Sequence, residues 1–239
     1  MVPQRVAAGP GVDQPSAAAL STRSGFAARV AALAFSLSSV GVSPADAVVG
    51  DERAADLVDQ LVVKGRGPKT GYAREQFGSA WADVDRNGCD TRDDMLNRDL
   101  VAKQWRVGTH GCVVIAGVLA DPYTGRSLSF AKADAAAVQI DHVVALSDAW
   151  QKGAAQWSAA RRLAFANDPL NLLAVDGPSN ASKSDGDTAT WLPPNKPYRC
   201  RFVARQVAVK AKWELSVTPA ERDAMTRVLA RCPEERVPV

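Results

Sequence analysis

Polar side chains that could cooperate in hydrolysis recur in the second half of the chain, each beside the end of a predicted element. Asp141 and His142 interrupt an apolar run, VQIDHVVAL, that otherwise predicts a buried strand. Asn171 begins the next predicted strand, and Asn180 and Lys183 lie where a helix begins. Because the order is strand, connection, strand and helix, these five side chains can converge on one point.

These residue types suit the metal-assisted hydrolysis of a phosphodiester. A carboxylate and an amide oxygen are hard ligands for Mg²⁺, and Asp141 and Asn180 would supply them. A neutral histidine is a suitable base at pH 7, so His142 would take a proton from water. Lys183 would contact phosphate, while the metal would act as a Lewis acid on the leaving oxygen.

The pairing of Asp141 with His142 sets a geometric condition. Neighbouring residues of a strand point to opposite faces of the sheet. The two side chains can therefore serve one site only if the strand ends or distorts there. A salt-bridged or hydrogen-bonded core histidine is the alternative interpretation of this pair.

The surrounding sequence predicts a mixed arrangement of helices and strands. A helix is predicted over 51–65, ending at Gly65, and two short helices with a polar loop between them over 72–100. Residues 112–130 predict a β-hairpin with its turn at 121–125. Strands follow near 138–144 and 169–175, with helical residues between them, and a helix over 196–215. A capping box at Thr218 and Glu221 begins a final helix.

Residues 1–47 predict a secretory signal peptide. Arg23 and Arg29 precede the apolar run VAALAFSLSSVGV, and an A-x-A cleavage pattern follows at 45–47. The remaining residues, 48–239, are enough for a single well-packed domain. They contain no segment long and apolar enough to span a bilayer, so we expect an extracellular protein without a membrane contact. Their 26 basic and 24 acidic residues give no bulk argument for a nucleic-acid partner.

Four cysteines lie in the exported part: Cys89, Cys112, Cys200 and Cys232. An even number in an exported chain predicts disulfides, and three pairings are possible. We favour Cys89 with Cys112 and Cys200 with Cys232, because each pair links neighbouring elements and closes a short loop. A zinc site is the alternative, but no C-x-x-C spacing supports it.

The ordered segments DHVVAL, NDPLNLLAV and NASKSD resemble the exported, actinobacterial-type branch of the HNH (ββα-metal, His-Me finger) endonucleases. The resemblance covers most of residues 72–232. It implies an α+β fold in which a ββα-metal core, about 112–195, carries an added β-hairpin and surrounding helices and is stapled by disulfides. In this family the residues matching Asp141 and Asn180 bind the metal, His142 is the general base, and Asn171 fixes the loop that holds it. Lys183 also fits the family pattern.

The resemblance implies a secreted endonuclease that hydrolyses phosphodiester bonds in DNA, with RNA as a second substrate. A neutral amide ligand favours Mg²⁺ or Mn²⁺ over Zn²⁺. One departure concerns Ser184, because many relatives have glycine there and serine disfavours a positive φ. The alternative is therefore an exported binding or scaffold protein that keeps the fold without turnover.

Two further segments carry weaker signals. Residues 83–94 approach a calcium loop, with Asp83, Asp85, Asn87 and Asp94 at ligand spacing, but the closing Glu is absent and a polar loop that caps the next helix is favoured. In the basic run 196–212, the side chains that share a helix face are Arg201, Arg205 and Lys212. They form a candidate nucleic-acid stripe, with a solvated face as an equal alternative.

Two arginines and the tryptophans of the chain are interpreted as structural residues. Arg74 and Arg92 are interpreted as ordinary surface or ion-paired arginines in preference to phosphate contacts. The six tryptophans are interpreted as core residues and not as base-stacking platforms.

Overall fold

The computed structural model describes residues 52–238, so the predicted signal peptide lies outside the described residues. The α-helices of this range are α1 (Ala54–Val58), α2 (Thr91–Asp99), α3 (Leu146–Gln151), α4 (Ala159–Ala166), α5 (Gly177–Lys183), α6 (Arg199–Lys212) and α7 (Pro219–Leu229). The strands are β1 (Leu100–Trp105), β2 (Val114–Ala120), β3 (Ser127–Ala131), β4 (Val138–His142) and β5 (Leu172–Asp176). The fold is thus of the predicted α+β class.

The strands form two small antiparallel sheets, one in the order β1-β2-β3 and one from β4 and β5. The predicted hairpin is confirmed as β2 and β3, and the Asp121 carboxylate accepts hydrogen bonds from two backbone N–H groups of its turn. Strand β1 was not predicted. Only Leu100 of β1 is buried, Ala102 has φ +47°, and the register with β2 shifts after Val101, so the segment lacks an apolar alternation.

Strand β5 is buried on both faces, as its continuous apolar run predicts. Leu173 and Val175 pack into the core around α6, whereas Leu172 and Ala174 pack towards the three-stranded sheet. Because β5 pairs with β4 along its whole length, this burial also fixes the position of β4.

Local sequence signals account for the helix starts that position the site. Asp176 ends β5 and accepts a hydrogen bond from Ser179 N, and Pro178 occupies the first turn of α5. The predicted capping box of α7 is present, with Thr218 and Glu221 bonded reciprocally. Within residues 52–238, none of the helices has the length and apolarity that a membrane crossing requires.

Helix α1 is shorter than predicted. It ends at Val58, residues 59–61 form turns, and Val63 is then paired to Val217. Gly65 therefore does not end the helix. The pairing satisfies backbone groups that a longer helix would have bonded internally.

Two disulfides tie the helices to their neighbours. Cys89 is bonded to Cys112, and Cys200 is bonded to Cys232. These are the favoured pairings. The first joins the loop before α2 to the segment before β2, and the second joins the start of α6 to the residues after α7.

A buried ion cluster connects α3, α6 and α7. Its members are Arg66, Asp148, Lys152, Asp187, Lys210 and Glu221. The Lys152 ammonium lies 2.6 Å from both Asp148 and Glu221, and Lys210 contacts the same two carboxylates at 3.1 and 3.0 Å. With three cations and three anions, the cluster is neutral, which is the condition for burying charge without a large penalty.

Candidate active site

The end of strand β4 brings Asp141 and His142 to one solvent-open cavity of about 630 Å³, whose wall also includes Asn180. Both side chains reach this cavity because β4 ends at His142 and the chain turns away. The geometric condition stated above is met in this way. The two side chains are held by different hydrogen-bond partners.

Both carboxylate oxygens of Asp141 accept a hydrogen bond from a side chain. Tyr123 donates its hydroxyl to Oδ2 at 2.5 Å, and Lys183 Nζ donates to Oδ1 at 2.9 Å. Burial raises the pKa of Asp141, an effect that the charge of Lys183 and the bond from Tyr123 oppose. Burial, together with the nearby Asp141 carboxylate, also raises the pKa of Tyr123 well above its usual value, so its hydroxyl keeps its proton and remains a donor.

Lys183 is not placed to contact phosphate. Its ammonium is buried, with 2% of the residue exposed, and it donates to Asp141 and to the backbone oxygen of His142. A phosphate contact would require the ammonium to leave both acceptors. The predicted phosphate contact is therefore corrected: Lys183 orients the carboxylate of Asp141 and the backbone at the end of β4.

His142 is buried and neutral. Its Nε2 lies 2.8 Å from the backbone oxygen of Ala166, which can only accept, so Nε2 carries the hydrogen and Nδ1 carries the lone pair. Burial lowers the pKa of His142 to about 3; the bond to Ala166 opposes the shift, and the charge of Arg74 adds to it. The ring is therefore neutral at pH 7, with the lone pair on Nδ1.

Asn171 closes the turn that follows His142. Its Oδ1 accepts from Val144 N at 2.8 Å, and its Nδ2 donates to Val144 O at 3.2 Å. Its backbone oxygen accepts from Val143 N at 2.8 Å. Because Asn171 is fully buried, these bonds do not compete with water. The amide thus fixes the backbone directly after His142, in agreement with the position expected for it.

Asn180 lies on the first part of α5 and presents an amide to the same cavity. Its Nδ2 donates to Gln139 Oε1 at 2.9 Å, and within residues 52–238 its Oδ1 accepts no hydrogen bond. A free amide oxygen on the wall of the same cavity as a carboxylate with spare lone pairs is a donor set that suits a hard cation such as Mg²⁺. No group of three or more His, Cys, Asp or Glu side chains in the described range is placed to hold a metal. An ion bound here would therefore take its remaining ligands from water and substrate.

Two arginines far upstream line the cavity, which sequence reasoning did not predict. Arg74 comes from the 3₁₀ turn at 74–77, and Arg92 comes from α2, where it lies over the ring of Phe130. Neither forms an ion pair with a described residue. They are thus surface arginines without an ion pair in the described residues, and guanidinium groups on a wall shared with Asp141 and His142 suit a phosphate. Nothing in the spacing of residues 74 and 92 links them to the motif.

The candidate stripe on α6 does not reach this cavity. Arg201 is exposed, but Arg205 donates to Leu170 O at 3.0 Å, and Lys212 is paired with Asp168 at 2.8 Å. Lys210, which belongs to the same basic run, is in the buried ion cluster. Most of these cations thus hold neighbouring backbone and carboxylates, and the nucleic-acid stripe stays a prediction that rests on the exposed Arg201.

Residues 83–90 form a polar loop that leads into α2. The carboxylates of Asp83 and Asp85 accept from the backbone N–H of Asn87, and Asp90 caps the helix by accepting from Asp93 N at 2.8 Å. This is the polar, helix-capping loop that was favoured over a calcium loop.

Comparison with known proteins gives a family and one relative. The model of the family described as "GmrSD restriction endonucleases, C-terminal domain" matches residues 90–228. A protein of Arthroderma benhamiae named "Uncharacterized secreted protein" is 37% identical over 186 residues, which cover 75% of this chain and 84% of that protein. No solved structure matches the chain. The family match spans the segment from Asp141 to Lys183 and also contains Arg92, but it begins after Arg74.

Proposed function

The chain belongs to the family of the C-terminal domain of GmrSD restriction endonucleases, and from this premise we propose that it is a divalent-metal-dependent endonuclease of the HNH type. Its substrate is DNA, with RNA as a second substrate, and the bond cut is a phosphodiester. The observation that carries the proposal is the geometry of His142: its Nε2 is bonded to Ala166 O, which leaves the Nδ1 lone pair, and the residue lines the cavity that Asp141 and Asn180 also line.

In the proposed mechanism His142 Nδ1 takes a proton from the attacking water. The bond from Nε2 to Ala166 orients the ring, and Asn171 holds the turn behind it. Asp141 and Asn180 would hold one Mg²⁺ or Mn²⁺, which when bound supplies positive charge to the leaving oxygen. Arg74 and Arg92 bind the phosphates on either side of the cut, replacing Lys183 in that role.

We assign β4, β5 and α5 to the ββα-metal core of this enzyme class. The two strands are antiparallel, and α5 follows β5 directly through the cap at Asp176. The order places Asp141 and His142 at the end of the first strand, Asn171 before the second, and Asn180 on the helix. This assignment rests on connectivity and on the resemblance of the motif.

We further propose that the protein is secreted after removal of residues 1–47. Two disulfides agree with an oxidising compartment, because such bonds rarely persist in the cytosol. The relative from Arthroderma benhamiae carries the word secreted in its name. Sequencing the amino terminus of the protein from culture medium tests this, and an amino terminus other than Val48 would contradict the proposed cleavage site.

The test of the catalytic proposal compares the two histidines of the chain. His142→Asn removes the base but keeps a polar group of similar size, and His110→Asn makes the same change at an exposed loop residue. We expect plasmid cleavage with Mg²⁺ to fall by about 10²- to 10⁴-fold in the first variant and to remain at the wild-type rate in the second. Equal rates for wild type and His142→Asn would refute the role of His142.

A non-catalytic binding or scaffold protein is the second candidate, and Ser184 is the observation that favours it. Ser184 has φ +52°, a conformation that glycine adopts more readily, and it lies on the cavity wall after α5. Nucleic-acid binding without cleavage, across Mg²⁺, Mn²⁺ and Ca²⁺, would favour this candidate. Cleavage that EDTA abolishes and Mg²⁺ restores would exclude it.

A further inference from the structure

A second cavity, of about 270 Å³, lies against the candidate active site. The two cavities share a wall made of Arg74, Trp81, His142 and Leu146. Within this wall the rings of Trp81 and His142 are stacked, with centroids 5.9 Å apart and planes 13° from parallel. A ligand in the second cavity would therefore lie against Trp81 and His142, beside the proposed general base.

The lining of the second cavity is mainly apolar and aromatic. Phe77, Leu146 and Ala166 are buried side chains on its wall, and Trp81 is half-buried. Trp81 has φ +57°, which is unusual for a bulky residue and persists only where the surroundings impose it. Trp81 also packs against the core cluster that contains Met95, and it contributes to the walls of two open cavities. The interpretation of all six tryptophans as core residues is corrected for Trp105, which is exposed.

One polar group on this wall has no partner. Asn167 is 1% exposed, and its Nδ2 donates to Leu163 O at 2.9 Å, but its Oδ1 accepts no hydrogen bond from residues 52–238. Buried acceptors are almost always satisfied, so an unpaired amide oxygen beside a cavity indicates a missing donor. A planar group with an N–H on its edge would supply that donor while its faces contact Trp81.

We propose that the second cavity binds one unpaired nucleobase of the strand whose phosphate lies in the active site. Each nucleobase combines a flat π-face with at least one N–H group, which matches Trp81 and Asn167 Oδ1. Arg74, on the shared wall, lies where the phosphate joined to that nucleoside would enter the first cavity. A base inside a duplex is stacked and paired and cannot enter without being extruded. The inference rests on the proposed nuclease function and predicts that single strands and unpaired nucleotides, including those that a supercoiled plasmid exposes, are cut faster than a closed duplex.

The experiment removes bases from the substrate one at a time. A labelled single-stranded DNA oligonucleotide is compared with a series in which one nucleotide near the cut carries an abasic spacer, all with Mg²⁺ and the purified protein. At one position next to the cut we expect kcat/KM to be about tenfold higher for the intact strand than for the abasic strand, the range of one base stacked on an aromatic residue. At the other positions the ratio should stay near one.

Variants then locate the base. Trp81→Leu and Asn167→Ala should each lower that ratio towards one, whereas Trp105→Leu, at an exposed tryptophan of β1, should keep it. A change that only weakens the fold slows both substrates and leaves the ratio unchanged. If the protein cleaves but the ratio is near one at every position, the inference is wrong and the proposed function still stands. The same holds if neither variant alters the ratio. No cleavage of any strand would instead overturn the proposed function.

Discussion

Replacing Ser184 by glycine should stabilise the protein. Ser184 follows α5 with φ +52° and ψ −126°. This backbone conformation costs a non-glycine residue about 1–3 kcal/mol. The side chain is exposed, so its removal leaves no cavity. Glycine costs about 0.4–1 kcal/mol in return, because the unfolded chain gains freedom. The free energy of unfolding should therefore rise by about 1 kcal/mol.

The assay is thermal unfolding followed by circular dichroism, in which about 1 kcal/mol corresponds to roughly 2–4 °C for a domain of this size. Ser182→Gly is the matched control, because Ser182 is also exposed but lies within α5. There glycine loses helix propensity, and we expect a decrease of about 0.5 kcal/mol. A melting temperature of Ser184→Gly at or below that of wild type would refute the argument from backbone strain.

Three further outcomes are expected. Tyr123→Phe removes the hydroxyl bonded to Asp141, so the free energy of unfolding measured by urea denaturation should fall by about 1.5–3 kcal/mol. Calorimetric titration should show an approximately tenfold weaker Mg²⁺ affinity, and an unchanged affinity would contradict Asp141 as the proposed ligand. Native His142 has a pKa of about 3, whereas a histidine of the unfolded chain takes up a proton near pH 6.5. The free energy of unfolding should therefore fall by about 2 kcal/mol from pH 7.5 to pH 5, and clearly less in His142→Asn. Lys210→Met leaves Asp148 and Glu221 short of a buried cation and should lower the free energy of unfolding by about 3–5 kcal/mol by the same method; a loss below 1 kcal/mol would contradict this.

The residues of the motif were predictable because they stand in order along consecutive elements. The run at 169–175 predicted the strand that is β5, and the capping box at Thr218 and Glu221 marked the start of α7. Asn171 was expected beside the turn after the first strand, and its amide bonds Val144 there from both sides. Local pattern and short connections were sufficient for these features.

The remaining features depend on contacts that the local sequence does not encode. Lys183 was expected at the surface, but its charge is matched by Asp141 in the interior, and only the fold reveals that pairing. Arg74 and Trp81 reach the cavity from irregular segments about 60 residues before the motif, where no periodicity marks them. Helical spacing placed Arg201, Arg205 and Lys212 on one face, but spacing does not tell which acceptors those cations find.

The buried ion cluster has a consequence for how this family can change over time. Its three cations and three anions share contacts, so replacing one member by a neutral residue leaves a buried charge without its partner. Viable sequences should then lose or exchange members in matched pairs, such as Lys210 together with Glu221. An alignment of relatives should show these sites covarying as a set, even where the surface around them diverges freely.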